Sequence, residues 1–207
     1  MASKVALALA KYLETRISQK SNGFDTSVVE AISYFPSAPP SEVINTLVRC
    51  SNAQDKFVAE SSVGALVFLA SRFEDVPLKG LFSLLSGDES KRVLVINRLR
   101  LLSKRQDEAV PYLIQIGSNP SERNSKVLVQ TCMTLRSYDK EASAAVPMLA
   151  KLLAHSDIQV QKSACEALSN IGREARQAIP ALYNLCSTTK DQRLYADAAR
   201  AIKRISR

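Results

Sequence analysis

Apolar residues recur at helical spacing along most of the chain, and the pattern is cleanest between residues 157 and 171. Counting Asp157 as register zero, Val160, Ala164, Leu168 and Ile171 stand at registers three, seven, eleven and fourteen. Those registers trace one face of an α-helix, and an aspartate ahead of such a face caps the free N–H groups of its first turn. The same arrangement returns as Asp55 with Val58, Ser62, Leu66 and Leu69, and as Asp88 with Lys91, Val95, Leu99 and Leu102. It returns again as Asn124 with Val127, Thr131, Leu135 and Tyr138, and as Asp191 with Leu194, Ala198, Ile202 and Ile205. The pattern predicts five copies of one amphipathic helix, called B. Lys91 and Thr131 interrupt the face and are read as drift within the repeat.

A second marker has the same period. Pro40, Pro77, Pro111, Pro147 and Pro180 lie 37, 34, 36 and 33 residues apart, each followed by a short apolar stretch such as PMLAKLLA or PALYNLC. Proline is tolerated in the first helical turn, where its missing N–H has no partner to lose. Each proline therefore predicts the start of a helix A ahead of each helix B. Residues 4–35, with Val5, Leu9, Tyr12 and Ile17 and then Val28, Val29, Ile32 and Phe35, read as one more pair that begins the series.

Composition agrees with an all-α chain. Ala and Leu together number 49, against 6 Gly and 8 Pro for turns, so a sandwich or barrel with many hairpins is poorly supported.

A helix pair of about 35 residues with proline opening A and Asp capping B, as in VPMLAKLLAHSDIQVQKSACEALSNIG, resembles the HEAT and HEAT-like repeats, including those of phycobilisome-lyase type. The resemblance is specific over 147–205, good over 77–138 and looser over 40–73. Tetratricopeptide and ankyrin markers do not recur. The resemblance implies a right-handed α-α superhelix of about six helix pairs. It is read as one solenoid domain over 1–207, with repeats at 40–73, 77–105, 111–140, 147–173 and 180–207. It also implies that helix B lines the concave side, where partners dock.

Charge changes the picture once it is divided along the chain. Residues 1–87 carry eight Lys and Arg against eight Asp and Glu, whereas residues 88–207 carry twenty against twelve, so the whole net +8 lies in the later part. Two registers of helix B are uneven. Register twelve reads Val67, Arg100, Arg136, Ser169 and Lys203, and register sixteen reads Ser71, Lys104, Lys140, Arg173 and Arg207. Stacked copies would align these into a ridge, with Arg200 and Arg204 beside it. Cations at register sixteen also complement the helix macrodipole, by roughly 0.3–1 kcal/mol each, which requires no partner. Register twelve is a turn earlier and less well explained that way. The candidate partner-binding residues are therefore Arg100, Lys104, Arg136, Lys140, Arg173, Lys203, Arg204 and Arg207.

Chemistry for catalysis is sparse. The one histidine, His155, stands in the turn AHSD beside a cap, and no phosphate-cradling or nucleophile-elbow motif occurs. Within the resembled family, di-iron hydroxylases need several histidines and alkylpurine DNA glycosylases use a Trp, which this chain lacks. Cys50, Cys132, Cys165 and Cys186 are widely spaced among apolar residues and read as buried, reduced thiols. No metal site, cofactor or small-molecule substrate is expected, and no apolar run reaches the length of a membrane span. The reading is a non-catalytic protein-binding or scaffolding module for an acidic partner, with Leu94, Leu101, Val129 and Met133 as apolar anchors. Nucleic acid on the same cations is the alternative, and a divergent lyase or glycosylase the third. A reducing compartment, the cytoplasm or the nucleus, is the matching expectation.

Overall fold

The computed structural model of the chain describes residues 2–18, 31–32, 34, 36–53 and 55–207, and every regular element among them is helical. The chain is all-α, a succession of short helix pairs. It divides into two compact units, Met1–Leu102 and Ser103–Arg207.

In the first unit, α1 (Ala2–Ser18), α2 (Ser41–Cys50), α3 (Lys56–Arg72), α4 (Lys79–Ser83) and α5 (Glu89–Leu99) follow one another. Helix α1 packs on α2, α2 on α3, and α3 on α5. Of the N-terminal pair expected over 4–35, the first helix is described and, from the second, Ile32, which is fully buried; Val28, Val29 and Phe35 lie outside the described residues. Helix α1 also turns a different face from the one the pattern suggests, since Val5 and Tyr12 are exposed and Ala10 is buried. The reason is polar. Glu14, one turn after Ala10, accepts from the Thr46 hydroxyl at 2.8 Å and pairs with Arg49, both on α2.

In the second unit, α6 (Gln106–Ser118), α8 (Val146–Leu152) and α10 (Ile179–Thr188) are the A helices, and α7 (Ser125–Arg136), α9 (Ile158–Ile171) and α11 (Gln192–Ile205) are the B helices. Each A packs on its own B, and α7, α9 and α11 lie side by side as one layer. Short 3-10 segments, Asp139–Ala145 and Gly172–Ala178, lead from each B into the next A.

All five expected caps form. Asp55 accepts from the Phe57 and Val58 N–H groups, Asp88 from Lys91, Asn124 from Lys126 and Val127, Asp157 from Gln159 and Asp191 from Leu194. The core registers are buried in every copy except at Lys91 and Ile202, which are half-buried. Thr131 is fully buried, and its hydroxyl donates to the Val127 carbonyl at 2.8 Å, so its polar group is satisfied within its own helix. Lys91 reaches out of the face to the Asn52 side chain at 3.3 Å.

The prolines mark helix A less uniformly than expected. Pro40 caps α2, Pro147 and Pro180 occupy the first turn, and Pro77 precedes α4 by two residues. Pro111 instead lies inside α6, because that helix begins at Gln106. Asp107 and Glu108 in its first turn complement the positive helix end, and Glu108 receives a two-pronged bond from Arg105 at 2.6 and 2.9 Å. That start outweighs the one internal bond that Pro111 removes.

Two close approaches are set by glycine. A Cβ on Gly117 would come within 2.4 Å of the Met148 sulfur, so α6 and α8 meet at a residue without a side chain. The second is a turn: Gly172, at register fifteen, has φ +75°, and Asp139 at the same register of the preceding copy has φ 49°. The chain thus leaves both α7 and α9 through a residue of positive φ, which favours glycine.

Candidate functional site

The B helices of the second unit carry Arg136, Lys203 and Arg204, and Lys140, Arg173 and Arg207 follow their C-terminal ends. Register twelve does not point simply outward, as its charges suggest. Val67 and Ser169 at this register are buried, because it faces the flank of the adjoining helix rather than open solvent. Arg136, at the same register and the end of α7, accordingly reaches the neighbouring B helix and forms an ion pair with Glu166 of α9. Arg136 itself remains 46% exposed, so the pair with Glu166 lies at the surface.

The other candidates are placed as follows. Arg100 caps the C-terminal end of α5 and belongs to the first unit. Lys104 is exposed in the turn ahead of α6, and Lys140 is exposed in the 3-10 segment after α7. Arg173, in the equivalent segment after α9, donates to the Arg207 carbonyl. Lys203 is exposed on α11, and Arg204 donates to the Asn170 side-chain oxygen at 3.1 Å. Lys104, Lys140, Arg173, Lys203, Arg204 and Arg207 form no ion pair among the described residues. The second unit as a whole holds sixteen Lys and Arg against ten Asp and Glu. Of the expected apolar anchors in this unit, Met133 is 44% exposed and Val129 half-buried.

Three of the arginines come together. Arg136, Arg200 and Arg204 border a cleft of about 230 Å³ between α7, α9 and α11, with Glu166, Asn170 and Asp197 between them. Arg200 bonds Asp197 at 3.0 Å, and Asn170 donates weakly to the Arg136 carbonyl at 3.4 Å and to Asp139 at 3.5 Å. Glu166, Asp197 and Asn170 escape a reading that follows only the basic columns. They stand at registers nine, six and thirteen, where no charge type recurs from copy to copy. Burial pushes the Cys165 thiol beneath this cleft up to about 12, and the Asp197 and Glu166 carboxylates add to the effect. Burial likewise takes Cys132 to about 12 and Cys50 to about 11. All four cysteines are free, with Cys186 half-buried.

The A–B turns are tied by their caps. Asp157 is held below the ordinary carboxylate value of 3.8 by the Ser125 hydroxyl, then by the Gln159 N–H. Asp191 is lowered by the Leu194 N–H and by Lys162, whose ammonium lies 3.5 Å away. His155 accepts the Asp157 N–H on Nδ1 at 3.0 Å, which gives it a turn-closing contact. Among the described residues no group of His, Cys, Asp and Glu is arranged to hold a metal ion, and no helix is long and apolar enough to cross a membrane.

The family of HEAT repeats matches residues 110–203. That segment of the chain resembles HEAT repeats, and the helix pairs around it are consistent with a HEAT-like repeat family. The match begins within α6, close to the start of the second unit, and the looser copies at 40–73 and 77–105 lie outside it. No curated protein sequence matches the chain. Solved structures do. An engineered protein is 22% identical over 99% of this chain and 88% of its own, with a TM-score of 0.54. A designed armadillo repeat protein is 16% identical over 93% and 99%, at 0.55. Another designed armadillo repeat protein, in complex with the peptide (KR)4, is 18% identical over 92% and 98%, at 0.58. At these identities the likeness concerns the fold, a repeat scaffold.

Proposed function

We propose that this HEAT-like protein is a non-catalytic docking module that takes an acidic protein segment on the helix-B layer of residues 103–207. The observation that carries the reading is the set of exposed cations, Lys140, Arg173, Lys203, Arg204 and Arg207, with no carboxylate paired to any of them among the described residues. Charges that stabilise only their own helix need no such company, but Lys140 and Arg173 lie beyond the ends of α7 and α9, in the segments that follow. A designed armadillo neighbour holds an alternating basic peptide on a related scaffold. In this chain the surplus charge on the protein is itself positive, like that peptide's, so the complementary segment is acidic.

The test is fluorescence anisotropy of the full chain with labelled octaglutamate and, separately, with a single-stranded oligothymidylate. Octaglutamate should bind, and the double variant Lys140→Glu, Lys203→Glu should weaken it about tenfold or more, with an unchanged melting curve. Arg136 is the poorer choice for reversal because it is held by Glu166. Preferential binding of the oligonucleotide, with log affinity falling linearly with log salt, would replace this reading with the nucleic-acid one.

A further inference from the structure

The cleft at the centre of this layer differs in kind from the cations around it. It brings three guanidiniums together with two carboxylates in about 230 Å³, a volume below the roughly 300–1,000 Å³ of most small-molecule pockets. Two of the guanidiniums are neutralised, Arg136 by Glu166 and Arg200 by Asp197. The third is not. Arg204 is held by the uncharged carbonyl end of Asn170, whose amide end is turned toward the Arg136 carbonyl and Asp139. The result is an arginine fork fixed in direction but lacking a counter-charge, with two carboxylates close by.

That arrangement selects among anions. A carboxylate side chain carries one charge and matches the planar fork of Arg204 with two bonds. A phosphodiester strand would bring a row of charges past Glu166 and Asp197, and like charges at such an interface oppose binding. The carboxylates also do more than repel. Their own arginines are substantially exposed, with Arg136 at 46% and Arg200 at 69% of the side chain, so an incoming cation can share Glu166 or Asp197 without burying a charge unpaired. In an extended segment, side chains alternate between faces, and neighbours on one face are roughly 7 Å apart, which suits opposite charges placed close together along the chain.

We propose that this cleft is a subsite for a mixed-charge protein segment, with a Glu or Asp carboxylate seated on Arg204 and a nearby Lys or Arg of the same segment against Asp197 and Glu166. The proposal rests on the docking reading above and specifies the sequence chemistry at its centre. A purely acidic segment uses the surrounding cations alone; a mixed one also uses the cleft.

The experiment compares octaglutamate with an octapeptide of alternating Glu-Glu and Lys-Lys pairs, which in an extended chain sets opposite charges at i and i+2 on one face, both labelled, on the full chain at about 0.15 M salt, where surface charges are screened beyond about 8 Å. The alternating peptide should bind at least as tightly as octaglutamate despite its zero net charge. Arg204→Ala should weaken the alternating peptide about tenfold, and Arg204→Lys should restore only part of that, since the charge returns without the fork. The deciding variant is Asp197→Asn, which should weaken the alternating peptide and strengthen octaglutamate. Opposite signs for the two peptides cannot come from a general loss of fold. If octaglutamate binds and the alternating peptide does not, or Asp197→Asn moves both in the same direction, the mixed-charge subsite is overturned while the docking reading stands. If neither peptide binds at about 1 mM, both are overturned.

Discussion

The two units use the same helix B and differ in what joins one pair to the next. Leu66 and Leu168 hold the same register of α3 and α9, both are buried, and both helices open on a capping aspartate. In residues 103–207 α7 and α9 each run through a 3-10 segment into the following A, through a residue of positive φ at register fifteen. Its caps are bridged between copies, Ser125 to Asp157 and Lys162 to Asp191. In residues 2–102 the carboxylates of Asp55 and Asp88 serve only the N–H groups of their own helices. Helix A of the second copy is cut to the five residues of α4 before a 3-10 turn. The lesson is that an amphipathic face and a cap suffice for a helix, whereas a regular repeat also requires a stereotyped connection. The HEAT match over 110–203 covers the part of the chain that has one.

The severest test of that contrast is a cavity. Leu168→Ala empties a fully buried position in the middle of α9 and should cost roughly 2–5 kcal/mol, a large share of a typical domain's 5–15. Hydrogen exchange on the full chain should show faster exchange across α7, α9 and α11 together, because each pair buries its apolar face against its neighbours. Acceleration confined to α9 would show that the regular connections do not make residues 103–207 cooperative.

Next in size is the kink. Gly172→Ala places a side chain at φ +75° and should cost about 1–3 kcal/mol, although no neighbouring atom would clash with the new Cβ. Ser103, at the same register in the second copy, has no positive φ, and Ser103→Ala should change stability by less than about 0.5 kcal/mol. Equal losses in urea titrations of the two variants would remove register fifteen as the point where the connections diverge.

The caps sharpen the comparison further. Loss of an ordinary helix cap costs about 1 kcal/mol, which is the expectation for Asp55→Ala. Asp191→Ala also breaks the pair with Lys162, so it should cost more, and the excess should shrink as salt is added. A salt-independent difference would place its origin elsewhere.

The smallest effect is a dependence on pH. Asp157 and Asp191 have folded-state values below 3.8, so the stability they contribute is complete above that value and is lost as pH falls through the lower folded values. Melting of the second unit should therefore weaken between about pH 5 and pH 2, and Asp157→Asn, which keeps a capping oxygen without the titration, should flatten the curve. An unchanged slope in that variant would show that the Ser125 bridge contributes nothing to the acid side.

How far the sequence could be read follows the range of the forces involved. Caps act over three residues and the apolar face over one helix, so the five caps, the B helices and most of their buried registers were legible from spacing alone. The 37-, 34-, 36- and 33-residue proline intervals likewise announced the repeat, because a missing N–H restricts proline to few places in a helix. Pro111 shows the limit of that rule: the Arg105 and Glu108 pair and the acidic first turn of α6 started the helix ahead of it. Tertiary packing decided the rest. It paired the exposed Arg136 with Glu166 of the adjoining helix and buried Ser169 at the same register, so that a column of like charges became a cleft of mixed ones. A single sequence lists charges along one helix at a time, whereas the fate of each charge depends on which side chain the next helix holds a few ångströms away.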